Sequence, residues 1–126
     1  MKGFPILMIA SLFFIISSCH HIESKEELNI DQTIKQIIFF TNNQAYEQEA
    51  AYYDAIIELK KEFPTEIKNM KIITAANAKK YYGTFKINNC PAILINYKDK
   101  IIVKVEGEAS TEQIVAPFYT ALKEEL

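Results

Sequence analysis

Residues 36–41, QIIFFT, place the tightest constraint on how this chain folds. The run is short, β-branched and aromatic, and apolar on both faces, which marks a central strand covered on both sides. Directly after it the period changes. Ala45, Tyr52, Ile56, Leu59 and Phe63 recur at helical spacing, with Tyr46, Ala50, Tyr53 and Ile57 beside that stripe. A helix over 45–63 with a wide apolar face is expected to lie against the sheet. Pro64 is expected to end it. NMKIIT (69–74) reads as a second strand, and two like-directed strands joined by a helix form a right-handed βαβ unit.

Residues 76–82 read as a short helix, with Gly83 placed to stop it. Pro91 then introduces AILINY, and Lys98, Asp99 and Lys100 turn the chain into IIVKVEG. So short a connection forces these two strands to pair antiparallel. Gly107 falls where the second of them ends. Ser110 and Gln113 form a capping box opening a last helix that carries Ile114, Val115, Phe118 and Leu122. Pro117 sits inside it, so the helix either bends there or effectively starts at Ala116. The expected fold is α/β: a mixed four-stranded sheet with helices on both faces, in the order β-α-β-α-β-β-α.

Composition narrows the function. With 126 residues, 49% of them hydrophobic and only 3 Gly and 4 Pro, the chain builds one compact core and no repeat array. Its 14 basic residues are all lysines against 16 acidic ones, for a formal charge of -2. Neither a basic field nor an arginine fork is present, so nucleic acid is not an expected partner.

The first residues are of a different kind. MKGFPILMIASLFFIISSC has one Lys, an apolar run over 4–16 and then small residues, the layout of a secretory signal. The run is too short to span comfortably as a permanent helix. Its end, Ile16-Ser17-Ser18-Cys19, resembles the lipobox of bacterial lipoproteins, in which the cysteine is acylated, for instance with palmitate, and cleavage occurs before it. The resemblance implies a signal peptide over 1–18, lipidation at Cys19, a tether over 19–33 and a domain over 34–126. It also implies an address on the extracytoplasmic face of the cell membrane, held there by the acylated Cys19, since two or more acyl chains anchor stably where one does not. His20 and His21 are adjacent and point different ways, with no third His, so they read as linker and no metal site is expected.

The element order resembles the thioredoxin fold. The likeness rests on IIFF followed by a loop and a long helix, on AKKYYGTFKINNCPAILI, and on IIVKVEGEAS ending in a glycine before the last helix. It covers 34–126, lacks most of the family's βα extension before the first core strand, and implies a cis Pro91. Where thioredoxins carry Cys-x-x-Cys, this chain has Asn42-Asn43-Gln44-Ala45-Tyr46-Glu47. That chemistry needs a thiolate at a helix start and a second thiol to resolve the mixed disulfide. Neither is present there.

Cys90 would stand beside the lost motif, at the place where the fold offers its backbone to an extended peptide. The plain reading is a small, partly buried side chain; the reactive one is a thiol that forms a mixed disulfide but depends on another protein to resolve it. The tyrosines at 52, 53, 81 and 82 read as core or core-edge residues sending their hydroxyls to water, and Tyr46 is kept as a surface contact. Glu47 and Glu49 are explained by the helix dipole. The expected function is a non-catalytic, membrane-anchored module, without a cofactor, binding an extended segment of another envelope protein. The candidate contacts are Asn43, Gln44, Tyr46, Asn89, Cys90, Pro91 and Gly107. The alternative is a single-cysteine thiol-disulfide exchange component acting through Cys90.

Overall fold

The computed structural model describes residues 29–41 and 46–124, the side chains of 46, 75 and 76 excepted. The signal segment, Cys19, the two histidines, Asn43 and Gln44 lie outside the described residues. Asp31–Leu126 forms a compact unit of its own. Its elements are β1 (Gln36–Phe40), α1 (Tyr46–Glu62), α2 (Pro64–Lys68), β2 (Lys71–Ile73), α3 (Ala75–Ala78), a 3-10 turn (Lys79–Tyr81), α4 (Tyr82–Phe85), β3 (Ala92–Tyr97), β4 (Lys100–Glu106) and α5 (Thr111–Lys123).

The sheet runs β2-β1-β3-β4. β1 pairs parallel with β2 and antiparallel with β3, and β3 pairs antiparallel with β4. All five residues of β1 are buried, as expected of a strand covered on both sides. Side chains alternate along it. Ile37 and Phe39 join Ile93 and Ile95 of β3 in a core with Tyr52, Ala55 and Leu59 of α1 and Ile114 and Phe118 of α5. On the opposite face Phe40 meets Phe85 and Tyr82 at ring separations of 5.9 and 6.5 Å. Gln36 opens the strand as a buried polar residue, and its side-chain amide donates to the Asn69 carbonyl at 2.5 Å. The buried amide therefore has a partner.

Three expectations change in detail. Pro64 ends α1 but also opens α2, because proline lacks only an N–H that a first helical turn leaves unpaired anyway. The buried face of α1 is narrower than its periodicity predicts: Ala50, Tyr53 and Ile57 are exposed, and Ala55 is in the core instead. Gly83 does not stop the short helix, which continues to Phe85. Lys86 ends it by taking a left-handed conformation (φ 54°), and Ile87 donates its N–H to the Tyr82 carbonyl at 2.9 Å.

The β3–β4 hairpin turns on Lys98 (φ 48°) and Asp99 (φ 62°), both left-handed as a two-residue primed turn requires. Neither is a glycine, so the turn costs about 1–2 kcal/mol per residue. Gln32 helps to offset that cost. Its side-chain oxygen accepts from Asp99 N at 2.7 Å and Asn96 Nδ2 at 2.9 Å, and its carbonyl accepts from Lys98 N at 3.2 Å.

The Ser110–Gln113 capping box is formed in both directions, at 3.2 and 2.8 Å. It starts α5 at Thr111, and the helix runs on through Pro117, so the reading in which it begins at Ala116 does not hold. One missing N–H is a local loss in a helix otherwise fixed at both ends. At the C-terminal end the Lys35 ammonium donates to the carbonyls of Ala121 (2.8 Å), Leu122 (3.4 Å) and Glu124. A cation there also suits the helix dipole.

Candidate functional site

The loop from Lys86 to Pro91 delivers the chain from α4 into the middle of the sheet. The Cys90-Pro91 peptide bond is cis, as the resemblance implied. Pro91 is buried, Cys90 half-buried and Asn89 exposed, so the chain sinks from surface to core over three residues. Gly107, at the end of β4, lies against this step and donates its N–H to the Pro91 carbonyl at 2.8 Å. Its φ of 68° is one that a side chain rarely adopts, and an added Cβ would stand 3.6 Å from the Asn89 Cβ. Conformation, rather than space, calls for glycine there.

Two tyrosines hold this corner from beneath. The hydroxyl of Tyr52, whose ring is wholly buried and stacked on Phe39 at 5.7 Å, donates to the Gly107 carbonyl at 2.7 Å. The Tyr82 hydroxyl lies 3.3 Å from the Cys90 sulfur. The expectation that these hydroxyls reach water is corrected for Tyr52, whose buried phenol oxygen turns inward to a carbonyl, while the half-buried Tyr82 sets its hydroxyl beside Cys90. Glu106 adds a third brace, accepting from the Asn88 N–H at 2.8 Å. From β4, Lys104 reaches the carbonyl of Lys86 at 2.7 Å and ties the start of the same loop.

Electrostatics follow from this packing. Burial holds the Tyr52 phenol above its ordinary range, with the nearby Glu106 carboxylate and Cys90 adding to it. The Tyr82 phenol is also raised, first by its hydrogen bond with Cys90 and then by burial. A folded-state value for Tyr52 above the unfolded value of about 10 stabilises the protein fully below that pH, and the contribution fades as pH climbs past it. Urea midpoints from pH 8 to 11 should therefore fall more steeply for the native protein than for Tyr52→Phe. Parallel curves would show that the phenol proton is not held by the fold.

Of the candidate contacts, the structure brings Asn89, Cys90, Pro91 and Gly107 together at one corner. Tyr46 opens α1, so its backbone stands where the redox motif would begin the helix. Sequence reasoning missed Tyr52, Tyr82 and Glu106 as supports. Their only signal was polarity at positions otherwise suited to core or strand.

Among the described residues, no helix is long and apolar enough to cross a membrane, and no cluster of three or more His, Cys, Asp or Glu side chains forms a metal site. No family model matches the chain. Solved structures similar to it include thioredoxin 1 of the thermophilic eubacterium Thermosipho africanus (TM-score 0.54, 17% identity, covering 70% of this chain and 94% of that one). They also include thioredoxin-2 of a malaria parasite (0.53, 10%, 75% and 89%) and the thioredoxin of Trypanosoma brucei brucei (0.53, 14%, 74% and 79%). These establish a thioredoxin-like fold and nothing finer. The chain is also 31% identical over 125 residues to the Pal-related lipoprotein of Bacillus subtilis (strain 168), spanning 94% of each sequence. With that identity over nearly the full length of both, this thioredoxin-like chain belongs to the family of the Bacillus subtilis Pal-related lipoprotein.

Proposed function

We propose that the protein is a lipid-anchored, non-catalytic module of the bacterial cell envelope that holds an extended segment of another envelope protein along the Cys90-Pro91 edge. One observation carries the reading: the cis-Pro corner is braced by Gly107, Tyr52 and Glu106, while residues 42–47 contain no thiol. A backbone edge fixed in advance loses little entropy on pairing with an incoming strand, and that mode of recognition needs no catalytic group. The lipobox-like Ile16-Ser17-Ser18-Cys19 and the kinship with a lipoprotein support the anchored address.

A second reading is favoured by the half-exposed Cys90 with the Tyr82 hydroxyl at its sulfur. There a partner's disulfide would accept the Cys90 thiolate, one partner sulfur leaving as thiolate, and a partner thiol would then release Cys90. The chain's other cysteine, Cys19, is the proposed lipid attachment point, so the chain alone cannot complete the cycle.

A photo-crosslinking residue at Asn89 or Tyr46 of the full chain, expressed in its own cells, is expected to capture a protein partner. Pro91→Ala should reduce that capture by about tenfold or more, the size of effect expected at the centre of an interface. If Pro91→Ala and Tyr46→Ala leave every crosslink and any deletion phenotype unchanged, a purely structural lipoprotein is the better description.

A further inference from the structure

Between Glu66 and Asp99 the chain carries six lysines and no acidic side chain. The fold gathers most of that charge on one side. On the sheet face opposite α1, one row across the strands runs Lys71 (β2), Ile38 (β1), Leu94 (β3) and Lys104 (β4). Register partners share a side of the sheet, so a lysine stands at each end of a buried apolar pair. The layer that covers this face, from α3 to α4, adds the exposed Lys79 and Lys80, and Lys86 follows it. Lys104 donates to the Lys86 carbonyl at 2.7 Å, which sets those two residues side by side.

The opposing charges are few. Glu106, the register partner of Ala92, is the one carboxylate in the strand rows of this face, and it already accepts from the Asn88 N–H. On the other face the balance reverses. α1 carries Glu47, Glu49, Asp54, Glu58 and Glu62 against Lys60 and Lys61, while α2 and α5 each hold one acidic and one basic residue.

We infer that the lysine face rests on the anionic headgroups of the bilayer that carries the protein. The inference builds on the lipid-anchored reading above. Sixteen residues separate Cys19 from β1, so the anchor keeps the domain within about 60 Å of the lipid even at full extension. The face therefore meets the bilayer at a high effective concentration. Its chemistry suits a broad surface better than a single ligand: ammonium groups are hydrated point charges on flexible stems, and the chain has no arginine fork to grip one carboxylate or phosphate. Each lysine at an anionic leaflet strengthens the attraction about fivefold, and acyl chains with a polybasic patch hold more firmly than either alone. Laid down this way, the acidic α1 points away from the lipid. The strand ends where Pro91 and Gly107 meet then open along the membrane plane, toward partners anchored in the same leaflet.

The test uses the full chain, purified with its acyl chains and returned to vesicles of phosphatidylcholine alone or with about one-third phosphatidylglycerol. A fluorophore at Gly83→Cys, or at Ala50→Cys on α1 for comparison, each in a Cys90→Ser chain, is read by its quenching from headgroup-linked quenchers. Gly83 lies two helical positions before the buried Phe85, on the outer side of α4, and a Cβ there meets no atom within 4 Å; Ala50 is exposed. In anionic vesicles quenching at Gly83 should exceed that at Ala50 about threefold or more, and the excess should vanish in phosphatidylcholine or in about 0.5 M salt. Lys71→Gln, Lys79→Gln and Lys80→Gln together should erase it, whereas Lys60→Gln, Lys61→Gln and Lys123→Gln, an equal loss of charge on the other side, should not. All six are exposed, so the fold is not at stake. Equal quenching at the two positions, an excess that persists in neutral vesicles, or equal effects of the two triple variants would overturn the inference. A larger response to soluble polyglutamate than to anionic lipid would do the same and assign the face to an acidic protein. The mass of the reconstituted chain reads the anchor separately: an unacylated chain overturns the anchored reading and this inference with it, and an acylated chain with equal quenching overturns this inference alone.

Discussion

Tyr52→Ala is expected to cost about 3–5 kcal/mol of folding stability, a large share of the roughly 5–15 kcal/mol that holds a small domain folded. The ring is fully buried, stacks on Phe39 and lies in the core shared by α1, β1, β3 and α5. Its removal leaves a cavity bounded by elements that cannot close on it independently. The hydroxyl adds a second term, because the Gly107 carbonyl would lose the donor it meets at 2.7 Å. Tyr52→Phe isolates that term and should cost about 0.5–1.5 kcal/mol, the net worth of a typical hydrogen bond to a partly buried acceptor. Urea unfolding of both variants separates the two. A cost for Tyr52→Ala no larger than that for Tyr52→Phe would mean that the ring is not part of the core. The functional consequence is specific: with Tyr52 gone, the Gly107 turn that supports Pro91 loses its anchor on α1.

Cys19→Ala should abolish labelling by a fatty-acid analogue. In the proposed reading, the small pair Ser17-Ser18 marks Cys19 as the acylation site. Each buried methylene contributes about 0.8 kcal/mol, so losing two or more acyl chains changes partitioning by many orders of magnitude. Labelling that persists equally in Cys19→Ala would place the lipid elsewhere or remove it from the account.

Local signals made much of the fold legible. β1 was readable because burial on both faces leaves no polar alternation, and α5 because Ser110 and Gln113 satisfy each other's backbone within one turn. Long-range partners were not readable. Tyr52 and Gly107 lie 55 positions apart, and nothing in either neighbourhood marks the phenol as donor to that carbonyl. α4 ends on a lysine in a left-handed conformation, while Gly83, the residue better suited to that conformation, sits inside the helix with open space around it. The buried face of α1 is narrower than its periodicity predicts for a related reason. Helical periodicity identifies apolar residues but does not tell which flank a short edge strand such as β2 leaves uncovered. At the candidate site, Asn89, Cys90, Pro91 and Gly107 were found through the resemblance to a known fold, whereas the side chains that brace them emerged only with the tertiary structure.

The central claim is that the Cys90-Pro91 edge works by shape and backbone pairing and not by thiol chemistry. Its most direct measurement is the partner crosslink from Asn89 in the full chain carrying Cys90→Ser, set beside the native chain and Pro91→Ala. Serine keeps the size of the side chain and a hydrogen-bonding atom for Tyr82 but cannot form a disulfide. The account predicts capture at the native level in Cys90→Ser and its loss in Pro91→Ala. Capture that disappears with Cys90→Ser, or a native adduct released by a reducing agent, would contradict it and make Cys90 the working group.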